Sequence, residues 1–225
     1  MKVYAEFLIK NGVEYRRKTL LQFGGSTKLI GSAVLMNPGS SKNTGKTANS
    51  ELIKSFFKDN HNRELSNSEI SEWYDYTDDS TMRQLEYIFN GWYLHKKGII
   101  EQITELNGII QLFNCSYYKN QHLSNAKHHF AKDEDVNFEE YNLITSKPVY
   151  FGWGNEGKMP YGSLYKMATT IFDEYMKSNS TNKSIYKSTF ENNLFYHPGY
   201  VNRGYGRNTK LQEFLYSFFV LMNKS

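Results

Sequence analysis

The stretch LIGSAVLM (residues 29–36) runs straight into Asn37-Pro38-Gly39, and its reading sets the reading of the whole chain. It is short, apolar and almost free of polar alternation, which suits a strand buried on both faces of a parallel sheet. Three further runs share that character, and each stops at a chemically pointed residue. They are GIIQLF (108–113) before Asn114, PVYFG (148–152) before Trp153-Gly154, and NLFY (193–196) before His197-Pro198. Helix-like stretches separate them. The alternation predicts an α/β fold, a three-layer α/β/α sandwich around a central, mainly parallel four-stranded sheet. Ligands of open parallel sheets bind just beyond the carboxyl ends of the strands. Asn37, Asn114 and His197 are therefore expected to meet along one rim and to line a single cleft.

Outward from these runs, Val3–Ile9 and Glu14–Phe23 read as an N-terminal hairpin turned at Asn11-Gly12. Residues Ser40–Asn49 are small and polar, reading as a loop, and Glu51–Lys58 as a short helix. Thr81-Met-Arg-Gln84 has capping-box spacing ahead of the helical pattern Leu85, Ile88, Phe89, Trp92. Ile99–Leu106 either extends that helix or begins another. Ser116–Glu140 is polar and mixed in charge, a surface helix and loop. Gly162–Met176 carries Leu164, Met167, Ile171 and Tyr175 on one helical face, Ser178–Lys187 is a connector, and Lys210–Met222 is a closing apolar helix. With no repeat and no linker, residues 1–225 read as one domain.

Composition narrows the chemistry. Aromatics make up 16% of the chain, with 18 Tyr and 15 Phe, so the core carries many stacking and hydrogen-bonding edges. A net charge of +4 permits contact with phosphates without demonstrating it. Cys115 is the single cysteine, which excludes an internal disulfide and any all-cysteine metal site. His128 and His129 are adjacent and would diverge on a helix, while His61, His95 and His122 are isolated; no metal and no cofactor is expected. Cys115 reads as a small core residue, having no base beside it. The loop Gly39-Ser-Ser-Lys-Asn-Thr-Gly45-Lys46-Thr47 imitates a phosphate-binding P-loop, but five residues stand between its glycines where that motif needs four. MKVYAEFLIKNG has too short an apolar core for a signal peptide, and no run approaches a membrane span. A cytoplasmic protein with no membrane partner and no obligate protein partner is the expectation.

Taken in order, VLMNPGSS (34–41), GIIQLFN (108–114), PVYFGWG (148–154) and YHPGYVNRGY (196–205) resemble the motif series of the uracil-DNA glycosylase superfamily. The Asn-Pro-Gly form resembles its mismatch-specific branch, and the chain is also similar to a related family of bacterial and phage proteins. The resemblance implies a DNA glycosylase that hydrolyses the N-glycosidic bond of a flipped-out pyrimidine, leaving an abasic site. In that reading Asn37 positions the attacking water and His197 donates to the departing base. Asn114 reads the base edge, with Pro38, Gly39 and Phe113 beside it; Phe56 and Phe57 are alternative stacking rings. Ser40, Ser41, Pro198, Tyr200, Val201 and Arg203 would contact DNA, with Tyr200 or Val201 as the wedge. Strict uracil enzymes carry tyrosine where this chain has Gly39, so the resemblance implies an open wall at pyrimidine C5. It extends the substrates from uracil to C5-modified pyrimidines, such as hydroxymethylated or glucosylated cytosine of phage DNA, and the role to phage defence. Gly199-Tyr200-Val201-Asn202 departs from the family's Ser-Pro-Leu-Ser, which puts the wedge geometry in doubt. A catalytically silent nucleotide- or DNA-binding module, or a nucleoside or nucleotide hydrolase, is the alternative.

Overall fold

Three of the apolar runs lie side by side and parallel, as their burial on both faces requires. They belong to one mixed sheet of seven strands: β1 (Lys2–Lys10), β2 (Val13–Phe23), β3 (Leu29–Leu35), β4 (Asn43–Thr47), β5 (Trp73–Tyr76), β6 (Gly108–Asn114) and β7 (Val149–Phe151). The strand order is β4-β5-β1-β2-β6-β3-β7, with β6, β3 and β7 parallel and the rest antiparallel. The computed structural model describes residues 1–10, 12–36, 39–118, 141–145, 148–154, 162–178 and 185–224. Among these, seven α-helices flank the sheet: α1 (Ser50–His61), α2 (Asn67–Ile70), α3 (Ser80–Phe89), α4 (Trp92–Lys96), α5 (Gly162–Ser178), α6 (Pro198–Gly204) and α7 (Thr209–Met222).

Strand alternation divides the core in two. Val34, Ile109, Phe113, Val149 and Phe151 face α1 and α5, packing on Phe56, Phe57 and Phe172. Ala33, Leu35, Ile110, Leu112 and Tyr150 face α3 and α7, packing on Leu85, Phe89, Leu215 and Phe218. The α/β class and the helices on both faces agree with the sequence reading, and the strand details correct it. The parallel part has three strands, because Asn193–Tyr196 supplies only an isolated bridge from Phe195 to Gly154. The Asn193 amide instead bonds the backbone of Lys187 and Thr189 and holds the run as a loop. The hairpin is no appendage: β2 pairs directly with β6 and extends the sheet.

Other boundaries shift for local reasons. Asn43–Thr47 is an edge strand whose side chains are mostly exposed, so no apolar alternation announces it. The true cap of α3 is Asp79, whose side chain accepts from the N–H of Met82 in the first turn, displacing the capping box read at Thr81. The helix then stops at Asn90, because Gly91 adopts φ +79, and Ile99–Leu106 is not helical.

One irregularity in β2 matters for everything downstream. The β1–β2 register slips between Tyr4 and Glu6, leaving an extra residue around Lys18, which sits at φ 47. Such a bulge reverses the inward and outward alternation of the strand beyond it. Leu20 faces the α1 side with Tyr4, while Arg16 pairs with Phe7 on the α3 side. Without the extra residue Arg16 would share a face with Leu20. Glu6, 1% exposed, holds the bulge by accepting from Lys18 Nζ at 2.8 Å and Arg17 Nε at 2.6 Å. Removing one partner of a buried ion pair strands the other's charge, so Glu6→Ala should lower unfolding free energy by about 3 kcal/mol. Urea denaturation checks this; a loss below about 1 kcal/mol, the range of exposed pairs, would show that Glu6 is no clamp.

Candidate functional site

Beyond the carboxyl ends of β3 and β6 lies a cleft of about 250 Å3. Arg16, Gly39, Ser40, Asp79, Asn114 and His197 line it, over a floor of Leu35 and Leu112 and beside the first turn of α3. The volume is just below the ~300–1,000 Å3 of sites that take drug-sized ligands, so it suits one small group.

Each polar group reaches the cleft for a structural reason. Asn114 ends β6 and alternates onto the α3 face, while Phe113 before it faces α1. The strand ends are locked together: the N–H groups of Cys115 and Ser116 donate to the carbonyls of Leu35 and Met36 at 2.8 and 2.9 Å. His197 caps α6, its Nδ1 accepting from the Gly199 N–H at 3.1 Å. The buried Tyr150 hydroxyl donates to the carbonyl of Tyr196, fixing the residue before it. Gly152 permits this approach, since a Cβ there would stand 2.6 Å from the Tyr150 ring and 2.9 Å from Leu35. With Nδ1 committed as acceptor, a neutral His197 carries its proton on Nε2 and is a donor. Burial pushes its pKa below the ordinary histidine range and the Arg203 charge adds to this, against the opposing pull of Asp79.

Arg16 is the site residue that the strand-end motifs do not announce. It is 1% exposed, and its Nε and Nη1 have no hydrogen-bond partner among the described residues. Burial lowers its pKa, opposed by the charge of Asp79 and by Tyr76, over whose ring the guanidinium lies at 5.7 Å. Buried charges are normally paired. Here Asp79 lies in the same cleft, yet no ion pair joins the two among the described residues. Oδ1 of Asp79 accepts from Met82 N–H, while Oδ2 would stand 2.8 Å from a Cβ at position 39. Asp79 Oδ2 therefore stands beside Gly39 at the cleft, where the missing side chain leaves it room. Asn114 Oδ1 is also buried without a hydrogen-bond partner among the described residues. One signal for Arg16 exists in the sequence: Arg16-Arg17-Lys18 places three cations in a row on a central strand, where alternation cannot expose them all.

The remaining expectations sort by burial. Asn37 and Pro38 lie outside the described residues, as do His122, His128 and His129. Phe56, Phe57 and Phe113 are wholly buried on the α1 side of the sheet, so none of them stacks in this cleft. Ser41 is buried and donates to the Thr77 carbonyl, and Pro198 and Val201 are the buried residues of α6, so these three have no surface to offer DNA. Ser40 lines the cleft, Tyr200 is half-buried against Tyr196, and Arg203 is exposed. Trp153 packs among Phe151, Phe190 and Phe195. Burial raises the Cys115 thiol pKa, which makes it inert. Among the described residues no group of three or more His, Cys, Asp or Glu could hold a metal ion. No helix there is long and apolar enough to cross a membrane. No protein-family model matches this chain, and neither does any curated protein or solved structure.

Two measurements test this electrostatic picture. Arg16→Met keeps length while removing an uncompensated buried charge, so it should stabilise the fold by about 1–3 kcal/mol in urea titration; destabilisation would mean that the guanidinium is satisfied. Because burial depresses the His197 pKa, the unfolded chain takes up its proton first on acidification, and stability falls as pH drops below about 6.5. His197→Asn retains an acceptor for Gly199 and should make that fall shallower, His61, whose pKa burial also depresses, supplying the rest. An unchanged pH slope would contradict a neutral, half-buried His197.

Proposed function

We propose that this chain hydrolyses the N-glycosidic bond of a pyrimidine nucleotide flipped out of DNA, leaving an abasic site. The observation that carries the reading is that Asn114 and His197, far apart in sequence, line one small cleft together with Gly39, Ser40 and Arg16, whose Nε and Nη1 have no hydrogen-bond partner among the described residues. Cleavage at C1′ moves an electron pair onto the departing base while the sugar gains oxocarbenium character. Catalysis therefore needs hydrogen-bond donors where that negative charge grows. A neutral His197, with its proton on Nε2, and the Arg16 guanidinium are two such donors. Asn114 offers an amide to the base edge. Asn37 keeps the role the resemblance implies for it, orienting the water.

A basic strip on α4, α6 and the turn into α7 supports DNA as the partner. Lys96, Lys97, Arg203, Arg207 and Lys210 are exposed around two adjoining surface hollows that share Arg203 and Arg207. No carboxylate lines either hollow among the described residues. Trp92 lines one of them, with Lys96 Nζ 4.7 Å from its ring centre. This strip begins one helix away from His197, so a backbone lying along it could deliver a nucleotide to the cleft.

Purified protein incubated with duplexes carrying uracil or C5-modified pyrimidines, followed by alkaline cleavage, should reveal abasic sites. His197→Ala and Asn114→Ala should each lower the single-turnover rate about 100-fold, the range for losing one preorganised donor, with smaller effects on affinity. Absence of abasic sites across the whole panel sinks the reading. For the strip, Lys96→Glu with Lys97→Glu should flatten the slope of log affinity against log salt by roughly 0.9 for each phosphate that is no longer neutralised. A slope identical to the parent chain's places the DNA elsewhere.

A further inference from the structure

Neither wedge position of the last motif is free to enter a base stack. Val201 is wholly buried in α6. Tyr200 is folded back on the molecule: its ring stacks on Tyr196, with centroids 5.9 Å and planes 13° apart, and its hydroxyl accepts from Asn208 Nδ2 at 3.4 Å. Gly204 makes room for that posture, since a Cβ there would stand 2.8 Å from the Tyr200 ring. Proteins that part the stacked steps of a duplex insert an apolar side chain between them, and these two positions supply none.

The surface offers a different device in the hollow of about 440 Å3 lined by α4 and the end of α6. Lys96, Lys97, Arg203 and Arg207 surround it, all exposed, and no carboxylate lines it among the described residues. Trp92 is half-buried in its wall, backed by the Tyr87 ring stacked on it at 4.9 Å. Lys96 Nζ lies 4.7 Å from the centre of the indole, and being exposed it is free to leave that ring for a phosphate. A cationic groove holding an aromatic ring is the equipment of single-strand binding, with bases on the ring and backbone on the cations. In a duplex every base face is already stacked, so the indole gains nothing from it.

We infer that this chain takes its DNA as a single strand, with an unpaired base on Trp92 and the flanking phosphates on the four cations. The inference rests on the glycosylase reading and names the form of its substrate. An unpaired nucleotide enters the β3/β6 cleft without a wedge. A duplex must first unpair and unstack its target, and is therefore the slower substrate.

Fluorescence titration reads Trp92 directly, because Trp73 and Trp153 are only 1% and 3% exposed. One oligonucleotide without a target base is titrated as single strand and as duplex at the same salt concentration. The single strand should quench the indole emission and bind about 10-fold more tightly than the duplex. Trp92→Leu should lose about 10-fold in single-strand affinity with little change for the duplex, and Trp92→Phe, which keeps a stacking ring, should retain most of it. Excision is then compared by alkaline cleavage of both forms carrying uracil or 5-hydroxymethylcytosine. Duplex binding as tight as single-strand binding, or equal weakening of both by Trp92→Leu, overturns the strand preference, and excision of either form then leaves the glycosylase reading standing. Emission unmoved by the single strand overturns the preference on the parent chain alone, whether or not the variants fold. Tighter single-strand binding with quenching but no excision keeps the preference and overturns the glycosylase. Neither preference nor excision overturns both.

Discussion

A β-strand has two faces, and the extra residue around Lys18 decides which of them receives Arg16. A lysine in the left-handed region and the buried Glu6–Lys18 ion pair are both costly, and neither is needed to complete the sheet. Their combined effect is to carry a guanidinium from the α1 side of the sheet to the α3 side, where the strand ends of β3 and β6 open into the cleft. The backbone of β2 is also tied at that point, the Arg16 N–H donating to the Tyr117 carbonyl at 3.0 Å beyond the end of β6. Local irregularities of this kind concentrate where a fold must aim a side chain at a ligand.

The cleft keeps three ionisable groups from neutralising one another. Arg16 has no ion-pair partner among the described residues, Asp79 spends one oxygen on a helix cap, and His197 spends Nδ1 on another. Holding them apart leaves a fixed field between them, of the kind that stabilises charge as it moves during a reaction.

Much of the fold was legible because burial on both faces writes a strong signal. The runs at 29–36, 108–113 and 148–152 became β3, β6 and β7, and the hairpin, α5 and α7 fell close to where periodicity put them. Asn114 and His197 were legible for the same reason, as the polar residues at which apolar runs stop. The fourth apolar run misled because Asn193 can satisfy backbone groups as well as a neighbouring strand can. Edge strand β4 was silent because a solvated edge needs no apolar pattern. Arg16 was hidden by phase: strict alternation assigns it to the face with Leu20, and only the register slip reverses that. Asp79 was hidden by a better-looking cap two residues later, whose spacing was right but whose side chain does not close α3.

The polar character of β4 has a consequence for how the molecule lives among copies of itself. An aromatic-rich sheet with an open, flat border would invite neighbouring chains to add strands and polymerise. This border ends in Asn43–Thr47, five residues that are mostly solvent-facing, twisted out of even pairing by a register shift and carrying Lys46. The opposite border is β7, only three residues long and fully buried. Among the described residues neither margin presents a long, flat, exposed edge, so the chain can concentrate tyrosine and phenylalanine in its interior without offering its sheet as a template for aggregation.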